Sequence, residues 1–108
     1  MAIRGVLEEE LQNSLRMQES YEAELARLPV GSLVRRRIKG HFYYYLVYRE
    51  NGKVRSVYQG RPSEEELQRY RQAREYRAKY RGLLAQVRKE IRFLRRALRG
   101  KQAIGISI

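Results

Sequence analysis

Apolar positions along this chain follow two different periods, and the change of period divides it into three stretches. Leu7, Leu11, Ser14, Gln18, Tyr21, Leu25 and Leu28 recur with 4-3 spacing, which sets them on one side of a helix that stops before Pro29. Leu15 widens that stripe, and Ser14 and Gln18 interrupt it. The period then falls to about two through a basic, tyrosine-packed run, LPVGSLVRRRIKGHFYYYLVYRENGKVRSVYQG, from Leu28 to Gly60, as strands require. Beyond it Tyr70, Ala73, Arg77, Tyr80, Leu84, Val87, Ile91, Leu94 and Leu98 restore 3-4 spacing without a break, the pattern of a long helix with one narrow apolar seam. The reading is an α+β chain: two long antiparallel helices, a coiled-coil-like hairpin, with a three-stranded antiparallel meander inserted between them. As one domain of residues 1–108, it comprises an acidic helix over 1–28, the meander over 32–59, a basic helix over 63–99 and an apolar tail over 101–108.

Turn chemistry sets the strand register. Asn51-Gly52 is the strongest short-range hairpin signal, because both residues tolerate the positive φ of a type I′ turn. Counting outward pairs Glu50 with Lys53, Tyr48 with Arg55, Leu46 with Val57 and Tyr45 with Tyr58. A two-residue turn at Gly40-His41 then closes the first hairpin and assigns the faces. One face carries Leu33, Arg35, Arg37, Lys39, Phe42, Tyr44, Leu46, Tyr48, Arg55 and Val57; the other carries Val34, Arg36, Ile38, Tyr43, Tyr45, Val47, Arg49, Val54, Ser56 and Tyr58. A three-residue turn from Lys39 to His41 would move Arg35 and Arg37 to the second face and bury charge without partners, which is costly. The second face is greasier, so Val34, Ile38, Tyr43, Tyr45, Val47, Val54 and Tyr58 are expected to pack on helices.

The helix ends are marked as well. Arg61-Pro62-Ser63-Glu64-Glu65-Glu66 reads as a capping box, with Ser63 accepting from amides near Glu66. Gly100 after Arg99 suits a C-terminal cap, and Gly82 is a mid-helix glycine costing ~1 kcal/mol relative to alanine. The first helix, of about 22 residues, spans roughly 33 Å and the second, of about 36, roughly 54 Å. Antiparallel pairing places Leu7 and Leu11 near Val87 and Ile91 and leaves Ile91 to Leu98 short of cover. Leu84, Val87, Ile91, Leu94 and Leu98 are therefore the expected oligomer interface, a homodimer through the helices. The tail Ala103 to Ile108, or Ile3 and Val6, folding back over the same stripe is the competing arrangement.

Charge changes the picture most. Twenty-four Lys and Arg oppose 12 acidic residues, all glutamate, for a formal net charge of +12. Residues 1–30 hold six glutamates and three arginines, so an acidic arm precedes a body that carries +15. Such a field attracts polyanions. Cations interleaved with aromatic rings can hold phosphates while offering flat surface to sugars or bases. The candidates are Arg35, Arg37, Lys39, Lys53 and Arg55 for phosphates, with Tyr44 and Tyr48 as aromatic contacts. Arg88, Lys89, Arg92, Arg95, Arg96, Arg99 and Lys101 extend positive charge along the second helix, where Glu90 is the only carboxylate side chain after Glu75.

Other chemistry finds little support. The chain has no Asp, Cys or Thr and one histidine, His41, in a turn, so no nucleophile–base pair, metal-ligand spacing or glycine-rich phosphate loop is present. No enzyme activity, cofactor, metal or small-molecule substrate is expected. No apolar run reaches membrane-spanning length and no secretory signal opens the chain, from which a cytoplasmic protein without membrane contact is expected.

The run from Leu28 to Gly60, between its glutamate-rich and arginine-rich helices, resembles a family of small uncharacterised prokaryotic proteins with an LPxGSL start and a YYYLxYRExGKVxSxYxG core. Arg35 to Lys39, the tyrosine strand and Asn51-Gly52-Lys53 are also similar to the basic β-hairpin that opens some transposases, and to the three-stranded DNA-binding sheet at the start of some tyrosine integrases. That second resemblance implies a detached DNA-binding module. The expectation is a non-enzymatic nucleic-acid-binding protein, DNA ahead of RNA, whose helices dimerise. The rival reading is a coiled-coil interaction or assembly module with an acidic protein partner.

Overall fold

The computed structural model describes residues 2–107, with side chains described for 3–100. The elements run α1 (Ala2–Arg27), β1 (Ser32–Ile38), β2 (His41–Glu50), β3 (Lys53–Gly60) and α2 (Glu64–Ser107). The sheet is antiparallel with strand order β1-β2-β3. This is the α+β arrangement of two helices with a meander between them. Contacts gather into two compact units: one from residues 1–27 and 78–108, the other from Leu28–Arg77.

The second hairpin has the register counted from Asn51-Gly52: Glu50 faces Lys53, Tyr48 faces Arg55, Leu46 faces Val57 and Tyr45 faces Tyr58. Asn51 and Gly52 have φ of 52° and 78°, the left-handed pair that a type I′ turn needs. In the first hairpin Ile38 pairs with His41, so the turn is Lys39-Gly40, one residue earlier than Gly40-His41. Lys39 and Gly40 supply the two positive φ values, 50° and 82°. Moving a two-residue turn by one residue shifts the pairing by two, and side chains alternate with a period of two. Every strand side chain therefore keeps the face assigned to it, Lys39 moves from a strand face into the turn, and the three-residue turn is excluded.

Beyond Tyr45 the ladder slips, with Tyr44 opposite Gly60. Gly60, at φ +70°, ends the sheet at this bulge. Pro62 and Ser63 follow, and the Ser63 hydroxyl accepts from the Glu66 amide at 3.1 Å while its carbonyl accepts from Leu67 N at 3.0 Å, which starts α2 as the capping signature requires. The other end differs from expectation. α2 passes through Gly82 and Gly100, neither of which has positive φ, so Gly100 is a helical residue and not a cap. A glycine costs only ~1 kcal/mol inside a helix. The side-chain contacts of the apolar tail 101–108 lie outside the described residues.

In the helical unit the apolar seam is the predicted one, with a changed offset. Tyr21 meets Tyr80 at 6.1 Å between ring centroids, Glu22 pairs with Arg88 at 3.5 Å, and Met17 and Tyr21 share a recess with Leu83, Gln86, Val87 and Glu90. Val87 thus sits at Met17 and Tyr21, not at Leu7 and Leu11. The cause is that the first turns of α2, as far as Arg77, belong with the sheet, so α1 pairs from about Tyr80 onward and reaches further along α2. Leu84, Val87, Ile91 and Leu94 are 7%, 2%, 4% and 8% exposed, and Leu98 is half-buried. The stripe expected to lack cover is the core of the single chain. Ser14, an interruption in the α1 seam, is 4% exposed; a small side chain there lets the helices approach.

Within the sheet unit, Gly31 closes the loop from Leu28. Its φ is +87°, and a Cβ there would stand 2.7 Å from the Val47 carbonyl oxygen and 3.1 Å from Leu46 Cδ1, so only glycine fits. Arg77, a cation at a seam position, donates to the Pro29 carbonyl at 2.6 Å, which satisfies a backbone group stranded beyond the end of α1. Ala73, one turn earlier, is 3% exposed.

Candidate nucleic-acid interface

The residues singled out in the strands fall where the pleat puts them. Arg35 faces Tyr44, Arg37 faces Phe42 and Tyr48 faces Arg55, so Arg35, Arg37, Tyr44, Tyr48 and Arg55 share one face. Lys39 is in the first turn, and Lys53 opens β3 at the second. These two turns lie at opposite ends of β2, whose 10 residues rise about 33 Å. The sheet therefore gathers the cations into two groups, Arg35, Arg37 and Lys39 toward one end and Lys53 and Arg55 toward the other. All five are exposed.

Beside these cations, on the same face, lie rings that are partly covered. Tyr44 is half-buried and lines a recess of about 350 Å³ with Leu33, Leu67, Tyr70, Arg71 and Arg74, and with Ser32 and Val34 of the edge strand. Tyr48 is half-buried too, in a shallow recess with Val30, Leu46, Val57 and Gln59. Phe42 is 46% exposed, and the Arg35 guanidinium lies 4.3 Å from its ring centroid, a cation–π contact that holds the charge at the surface.

The opposite face corrects the expectation that it packs on helices. Val34, Ile38, Val54 and Tyr58 are 37%, 42%, 63% and 57% exposed. The apolar stripe at the start of α2, Leu67 and Tyr70, is spent beside Leu33 and Tyr44, and one narrow stripe covers one side of a sheet. On the open side Tyr58 packs its ring against Tyr45, edge-on at 5.4 Å, and against Tyr43 at 6.1 Å. Arg36 lies 5.1 Å over Tyr45 and Arg61 5.6 Å over Tyr43. The sequence reading placed Arg36, Tyr43, Tyr45 and Tyr58 on one face and missed the exposure of Tyr58, while Tyr43 and Tyr45 are half-buried. The signal was in the composition of the second helix, whose first turns hold too few apolar residues for two faces.

Electrostatically the sheet stands almost alone. Residues 32–60 carry seven cations, Arg35, Arg36, Arg37, Lys39, Arg49, Lys53 and Arg55, and one carboxylate, Glu50. Among the described residues only Arg55 of the seven comes within salt-bridge distance of a carboxylate, Glu50 at 3.9 Å, and both side chains are half-exposed. Contacts of that kind stabilise by ~1 kcal/mol or less. The other ion pairs, Arg4 with Glu8, Arg27 with Glu24 and Arg88 with Glu22, are in the helical unit. Among the described residues no three His, Cys, Asp or Glu side chains converge as metal ligands, and no helix is long and apolar enough to cross a membrane.

Residues 3–69 match the model of a family described as a domain of unknown function, DUF6788. The match takes in α1, the whole sheet and the first turns of α2, more than half of the chain, and the chain belongs to that family. No curated protein and no solved structure matches it.

Proposed function

We propose that the sheet of this DUF6788 chain binds nucleic acid, with Arg35, Arg37, Lys39, Lys53 and Arg55 contacting the phosphate backbone. One observation carries the reading: six of the seven cations of the sheet have no carboxylate within reach among the described residues, and all seven are exposed. Like charges held on a small rigid platform repel one another, and a polyanion relieves that repulsion while releasing its own counterions. Tyr44 and Tyr48, half-buried in recesses on the same face, are the aromatic contacts of this reading. DNA is the form favoured by the resemblance of the hairpin to transposase and integrase sheets.

The test is a mobility-shift titration at stated moderate salt. Joint charge reversal, Arg35→Glu, Arg37→Glu and Arg55→Glu, is expected to abolish binding, and unaltered binding would reject the assignment. The absorbance ratio at 260 and 280 nm of protein purified without nuclease gives an independent reading, because a co-purifying polyanion raises it.

The helices carry no second reading of comparable weight. An assembly surface was expected at Leu84, Val87, Ile91, Leu94 and Leu98 because Ile91 to Leu98 would be short of cover, and the first four of the five are buried within the single chain.

A further inference from the structure

The open face of the sheet combines features that a duplex cannot use. Tyr58 is 57% exposed and Val54 63%, at positions where a three-stranded sheet would ordinarily be covered. Phosphates gain nothing from Val34, Ile38, Val54 or the face of a tyrosine ring, and a duplex presents only phosphates, sugars and the edges of its bases to a flat surface. A single strand, by contrast, can splay its bases and lay their planes on aromatic rings. The charge on this face has one sign: Arg36 and Arg49 lie on it by register, Arg61 reaches it over Tyr43, and its strands contribute no carboxylate, since Glu50 alternates to the other side. Two of these guanidinium groups are already stacked on Tyr43 and Tyr45, leaving Tyr58, which braces both rings, as the outermost aromatic surface.

We infer that this face, centred on Tyr58 with Tyr43 and Tyr45 and flanked by Arg36, Arg49 and Arg61, is a stacking site for single-stranded nucleic acid. It rests on the reading that the sheet binds nucleic acid, and adds the form of the ligand and the face that reads it. An acidic peptide would satisfy the arginines but would leave the ring surface without a flat partner.

Fluorescence anisotropy with one labelled oligonucleotide of about 20 nucleotides, single-stranded and annealed to its complement, tests it at a single stated salt concentration. The single strand is expected to bind the more tightly, and Tyr58→Ala to weaken it by about 5- to 140-fold, the range that loss of one stacked base gives. Tyr58→Phe, which keeps the ring, is expected to retain the affinity. Thermal melting of Tyr58→Ala checks that the sheet is intact; Val54→Ser, which removes exposed apolar surface from the same face without touching the tyrosine cluster, is the second variant should Tyr58→Ala unfold, with a few-fold loss expected. Equal affinity for single strand and duplex, or no loss in the folded variant, overturns the stacking site while leaving the phosphate reading in place. Failure of the parent protein to bind either oligonucleotide overturns both.

Discussion

Gly31 shows how much one residue can decide. Its φ of +87° and the 2.7 Å approach of the Val47 carbonyl leave no room for a side chain, and the neighbour is backbone, which cannot swing aside. Gly31→Ala is expected to cost about 2–3 kcal/mol, part strain and part displacement of β2. Gly40, at φ +82° but with nothing near its missing Cβ, separates the two terms: Gly40→Ala is expected to cost only the strain, about 1 kcal/mol. Chemical denaturation of both variants checks the order, and equal losses would show that the approach to Val47 is not felt. Residue-scale signals were mostly legible in the chain. Asn51-Gly52 fixed one hairpin to the residue, and Ser63 marked the start of α2, because each acts through its own backbone. Lys39 was harder: lysine has no special liking for positive φ, so its place in the first turn is imposed by the strands that it joins.

At the scale of elements, the seams were readable and their offset was not. Every α1 residue from Leu7 to Leu25 in the predicted stripe is buried or half-buried, since periodicity alone decides which side of a helix is apolar. How far two helices slide past each other depends on where the connecting segment ends, and here the first turns of α2 are committed to the sheet unit. Ile91 and Leu94 are core as a result. Ile91→Ala is expected to destabilise by about 2–4 kcal/mol, whereas Phe93→Ser, at a side chain 63% exposed, is expected to change stability by about 0.5 kcal/mol or less. Thermal denaturation followed by circular dichroism reads both, and for a single-chain core the midpoint of the parent does not move with protein concentration. A midpoint that rises with concentration, together with a large loss from Phe93→Ser, would return the oligomer to the helices. The faces of the sheet followed the same division: parity was counted correctly, while which face meets a helix was decided by the small apolar supply in Leu67 and Tyr70.

For the whole molecule the governing quantity is a net charge of +12 with its acidic share concentrated in α1. In the helical unit Glu8, Glu22 and Glu24 pair with arginines of the same unit, and the sheet has one carboxylate for seven cations. Binding driven by counterion release has a slope of log affinity against log salt that counts the phosphates neutralised, about 0.7 per contact for a single strand and 0.9 for a duplex. The most direct measurement is that slope for the parent and for the neutral triple variant Arg35→Gln, Arg37→Gln and Arg55→Gln. Three phosphate contacts at the sheet predict that the variant's slope is shallower by about two to three, with weaker binding at every salt concentration. An unchanged slope in a folded variant would mean that these cations touch no phosphate, and would contradict the assignment of Arg35, Arg37 and Arg55 as the phosphate contacts of the sheet.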